Sequence, residues 1–69
     1  MYDVRYLKTV IQHWIRHNES HLEEYRKWKE IAFSLGYPEV SERLNSSLKL
    51  ISEINALLEE ALNKLPSDI

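Results

Sequence analysis

The three histidines of this chain stand at every fourth position, His13, His17 and His21, and Glu24 follows three residues after the last. Imidazole nitrogens and carboxylate oxygens are ligands for divalent transition metals, with imidazole suiting zinc, copper, iron or nickel. On an α-helix, residues four apart lie about one turn apart on nearly the same face. His17, His21 and Glu24 can therefore converge on one ion, with His13 farther round. Paired helical histidines at this spacing bind zinc in His-Glu-x-x-His proteases. Here the intervening residues are Asn-Glu-Ser, so the protease pattern is absent. A di-iron carboxylate bundle needs Glu-x-x-His, and the residue three before His21 is Asn18. The expectation is a nickel, zinc or cobalt site at His13, His17, His21 and Glu24. The alternative is structural: His21 hydrogen-bonds Asn18 or a facing Asn55, as buried polar groups must. No Ser-His-Asp grouping, phosphate-binding glycine loop or pair of core carboxylates appears, so the chain does not read as an enzyme.

The element that carries these residues is a long helix. Its apolar residues follow a heptad through Val4, Leu7, Ile11, Trp14, Asn18, His21, Tyr25, Trp28, Ala32 and Leu35. Asn18 and His21 interrupt that series at its middle. Val10, Ile15, Leu22 and Ile31 widen the stripe toward the broader face used in bundles. Trp14, Tyr25 and Trp28 fall on core heptad positions, which favours packing over a ligand-stacking platform. Asp3 suits an N-cap and Gly36 the left-handed position that closes a helix. Pro38 fits the first turn of a second helix, with Ser41 a competing start. That helix presents Leu44, Leu48, Ile51, Ile54, Leu58, Ala61, Leu62 and Leu65 on one broad face, flanked by Leu50 and Leu57, and Pro66 stops it.

The predicted fold is all-α: one domain over residues 1–69, an antiparallel hairpin of helices at about 3–35 and 38–65. Folding at Gly36-Tyr37 pairs positions whose numbers sum to about 73, which sets Asn18 and His21 level with Asn55 and Ser52, and Trp28 level with Asn45. Asn18, His21, Ser52 and Asn55, bounded by Trp14 and Trp28, then read as a polar layer that fixes register. Two packed helices leave one side of each wet. A second hairpin remedies this, so a homodimeric four-helix bundle, or a larger homo-oligomer, is expected.

Composition agrees. The chain has 69 residues, no cysteine, one glycine and two prolines, so disulfides and thiolate metal sites are excluded and helix breakers sit only at helix ends. Nine basic and eleven acidic residues give a net charge of -2, mostly interleaved, which is not the footprint of a duplex-binding protein. Glu23 and Lys27 are spaced for an i,i+4 pair on the solvated face. Apolar runs are too short for a membrane span, and no secretory signal is evident, so the expected location is the cytoplasm.

The run His13-Trp14-Ile15-x-His17-Asn18-Glu19-x-His21, followed by Glu24-Tyr25-x-x-Trp28 and Leu35-Gly36, resembles a small family of uncharacterised, mainly archaeal helical-hairpin proteins. The likeness covers about a third of the chain at motif level. It implies metal binding or delivery at His13, His17 and His21, since related segments sometimes appear alongside nickel- and cobalt-handling proteins. The sequence thus predicts a small self-associating helical protein with a metal-binding histidine stripe. Its rival is an assembly module with no ligand, which leaves room for a further protein partner.

Overall fold

Asp3 starts the first helix by accepting a hydrogen bond on its carboxylate from the Tyr6 N–H at 2.9 Å, which satisfies a backbone donor that the first turn leaves over. In the computed structural model, which describes residues 2–68, this helix, α1, runs Val4–Ser34 and the second, α2, runs Pro38–Asn63. Met1 and Ile69 lie outside the described residues. The architecture is an all-α antiparallel hairpin, as the heptads predict.

Three residues reverse the chain. The Tyr37 N–H bonds the Ala32 carbonyl and the Gly36 N–H bonds the Phe33 carbonyl, each at 3.0 Å. This is a Schellman closure, and it needs a left-handed residue, supplied by Gly36 at φ 92°. Pro38 then opens α2, with the Ser41 N–H bonding the Tyr37 carbonyl at 3.1 Å. Ser41, the competing start, instead lies buried within the first turn.

The seam between the helices is a clean heptad on both sides. In α1 its buried or half-buried members are Lys8, Ile11, Ile15, Asn18, Leu22, Tyr25, Lys29 and Ala32. In α2 they are Ser41, Leu44, Leu48, Ile51, Asn55, Leu58 and Leu62, continued by Leu65 just after the helix. Asn18 Nδ2 donates to Asn55 Oδ1 at 2.9 Å, and Asn55 Nδ2 donates to the Ile15 carbonyl at 3.2 Å. Extending that register along both helices sets Leu22 against Ile51, Ile15 against Leu58 and Ala32 against Ser41. The small pair, each 9% exposed, sits beside the tight turn.

The α1 side of this seam differs from the heptad expected from the sequence. Ile11, Asn18, Tyr25 and Ala32 hold their expected positions, but the alternate members shift by one residue. Ile15 and Leu22 enter the seam, while Leu7, Trp14, His21 and Trp28 turn outward and are exposed. The reason is competition between two overlapping seven-residue series. The aliphatic pair Ile15 and Leu22 fills the narrow seam, and an indole there would hold the helices apart. Lys8 and Lys29 take seam positions near the ends, where a lysine stem can lie along apolar surface and keep its ammonium wet. Lys29 Nζ reaches Asn45 Oδ1 at 3.3 Å.

Candidate functional site

The histidine stripe lies on the outer shoulder of α1. All three imidazoles are exposed, including His21, which was expected to point into the hairpin. They form a ladder. The His13 and His17 rings stack at 6.0 Å between centroids, and the His17 and His21 rings meet edge-on at 4.5 Å. The Nε2 atoms of His17 and His21 are 3.0 Å apart, so one ring donates its N–H to the lone pair of the other. Glu24 does not join them within the chain: its Oε2 accepts from Trp28 Nε1 at 3.2 Å. Among the described residues, no group of three or more His, Asp or Glu side chains is arranged to hold a metal ion. The structure thus brings together two of the four predicted ligands, His17 and His21. It leaves His13 stacked alongside and Glu24 engaged by an indole.

The predicted polar layer divides in the same way. Asn18 and Asn55 meet in the seam. His21 and Ser52 are level with them but exposed, and the helical wheel places them on opposite flanks. Trp14 and Trp28 are 49% and 51% exposed, so neither is core within the hairpin. On the solvated face, Glu23 pairs with Arg26 at 3.3 Å, and Lys27 Nζ stands 5.6 Å from the Trp28 ring centroid.

Lettering each heptad a to g with a and d in the seam exposes a second pattern. In an antiparallel pair, the g flank of one helix lies on the same side as the g flank of the other, and c lies beside g. In α1 the g series is Leu7, Trp14, His21, Trp28, continued by Leu35 just after the helix. In α2 the same side carries Val40, Ile54 and Ala61 at g, and Leu50 and Leu57 at c. Between Val4 and Asn63 the only full charges at g or c are Glu24 and Arg43, while the e, b and f positions hold nearly all the others. The hairpin as a whole is therefore amphipathic, with one wet side and one apolar side. Leu50 and Leu57 are 60% and 64% exposed there. Apart from Val40, sequence reasoning counted these residues as core or flank and missed the separate face. Its signal was the unbroken seven-residue spacing from Leu7 to Leu35.

No helix among the described residues is long and apolar enough to cross a membrane. Residues 7–65 match a family described as a domain of unknown function (DUF8180). No curated protein matches the chain. No solved structure matches it either.

Proposed function

The chain belongs to the DUF8180 family, and we propose that it is a non-enzymatic self-association module whose working surface is the apolar side of the hairpin, closed by a second copy into a four-helix bundle. The observation that carries this reading is the order of the α1 stripe: Leu7, Trp14, His21, Trp28, Leu35. It reads the same in both directions. Two copies laid α1 against α1 in opposite directions, with the two-fold axis at His21, set Trp14 against Trp28 of the second copy and Leu7 against its Leu35. An isologous interface requires such self-complementarity. The axis level at His21 corresponds to Ser52 in α2, and about that level Leu50 meets Ile54 of the second copy. The same register sets Leu57 against Ser47 and Ala61 against Arg43 of the second copy, so α1 carries the apolar match. Ser47, the hydroxyl on this side, bonds the Arg43 carbonyl at 3.0 Å, so its polar group is satisfied within its own helix.

Area supports the same partner. The chain exposes 5657 Å². A compact monomer of 8.3 kDa exposes about 4,600 Å². The excess, about 1,100 Å², is somewhat more than one partner contributes to a standard interface. The molecule is 50 × 17 × 17 Å, and none of the described side chains is fully buried. An aromatic pair flanking the centre of such a patch supplies its anchors.

Sedimentation equilibrium tests the reading. The native chain is expected to be dimeric at micromolar concentration. Trp14→Glu should weaken the dimer by at least about 30-fold while leaving the helical circular dichroism intact. A native chain that is monomeric at about 100 µM overturns the proposal.

A further inference from the structure

We infer that His17 and His21 of one copy, together with Glu24 of the second copy, form a divalent transition-metal site, present twice across the two-fold axis. The inference rests on the dimer proposed above. Two observations and one consequence of that dimer lead to it. First, the Nε2 atoms of His17 and His21 are already 3.0 Å apart. At metal–nitrogen distances of about 2.0–2.1 Å, that separation subtends about 91–97° at an ion, nearer the cis angle of an octahedron than the wider tetrahedral one. Second, this pair lies at positions g and c, at the edge of the apolar side and at the middle of its stripe. Third, the axis at His21 carries Glu24 of the second copy to the level of Asn18, between His17 and His21. Glu24 shares the c flank with His17, and corresponding flanks of an antiparallel pair meet. The carboxylate that turns away within the chain is therefore returned to the histidines by symmetry.

Two imidazoles and one carboxylate with further positions open to water suit an ion that accepts six ligands, such as iron(II), cobalt(II) or nickel(II). Without the ion, the two rings share a proton between their Nε2 atoms. When the ion binds, that proton moves to Nδ1 of the same ring, and both Nε2 lone pairs face the metal. The bond from Trp28 Nε1 to Glu24 Oε2, 3.2 Å, restrains the carboxylate from the side away from the ion. His13 stacks on His17 at 6.0 Å between ring centroids and is not one of the three ligands. The arrangement gives Glu24 a purpose that surface solubility does not: it is the one carboxylate within the helices on the apolar side.

The experiment is a titration of the full chain with cobalt(II) and nickel(II), read by calorimetry and by cobalt absorption, with sedimentation on the same samples. The expected result is one ion per chain, two per dimer, with the weak visible bands of six-coordinate cobalt. His17→Ala, His21→Ala and Glu24→Gln should each abolish binding, with circular dichroism unchanged because none of the three side chains belongs to the seam of the hairpin. Mixing the Glu24→Gln and His21→Ala chains in equal amounts should restore about a quarter of the native capacity, since half the dimers are mixed and each mixed dimer holds one intact site. A site built within one chain restores nothing on mixing, and that result overturns the inference. Binding no tighter than about 100 µM in a sample that sediments as a dimer also overturns it and leaves the dimer reading standing. A monomer, with or without bound ion, removes both.

Discussion

Asn18 and Asn55 form the one layer of the seam in which both facing residues are polar and uncharged, and each amide depends on the other. Removing one side chain leaves its partner half-satisfied among Ile15, Leu22 and Ile51. Asn18→Ala should cost about 1–3 kcal/mol in urea unfolding. Replacing both, as Asn18→Leu with Asn55→Leu, should restore or raise stability, because a packed apolar layer supplants a desolvated one. The double variant should also broaden the amide resonances of the seam, since register is then held by fewer directional contacts. A double variant less stable than Asn18→Ala argues against this account. At this scale the sequence was half legible. The Asn18–Asn55 level followed from the turn position and the heptad. The outward turn of His21 did not, because a histidine next to a seam asparagine looks like its companion until the seam is known to prefer Leu22.

At the scale of the helices, the ends were the most legible part. Asp3, Gly36 and Pro38 each have one good use at a helix terminus and occupy it. Gly36 carries a sharp expectation. Its φ is 92°, and an added Cβ meets nothing within 4 Å, so the penalty of a side chain is conformational and not steric. Gly36→Ala should lower stability by about 1 kcal/mol. A synthetic chain with D-alanine at the same position should be at least as stable as the native one, because its preferred φ is positive. Equal losses for both mirror forms in thermal unfolding defeat the conformational explanation. The faces of α1 were less legible. Two seven-residue series run side by side, one from Leu7 and one from Lys8, and the first contains the larger apolar residues. Hydrophobicity alone selects the tryptophans for the seam. Close packing against α2 selects Ile15 and Leu22, which lie 7% and 8% exposed there, while the indoles stay outside.

For the whole molecule, the hairpin is long and thin. Its radius of gyration is 15.9 Å, against about 11 Å for a compact chain of this length. The apolar groups buried within it are Ile11, Ile15, Leu22 and Ala32, a small core for 69 residues. If a second copy completes that core, unfolding is linked to dissociation. The thermal midpoint should then rise steadily between about 5 and 500 µM protein. A midpoint constant over that range would show a hairpin that stands alone.

The order Leu-Trp-His-Trp-Leu along α1 has an evolutionary consequence. In the proposed homodimer the stripe is encoded once and displayed twice, so a codon change at position 14 or 28 rewrites two contacts, each between unlike positions of the stripe. Such a change can be compensated by a second one: a lysine at 14 could be answered by a glutamate at 28. Position 21 admits no such rescue along the stripe, because there each residue meets its own copy. A lysine faces a lysine and a glutamate faces a glutamate. Drift along the stripe should therefore run in complementary pairs at 7 with 35 and at 14 with 28, and stay confined at 21 to residues that tolerate their own likeness.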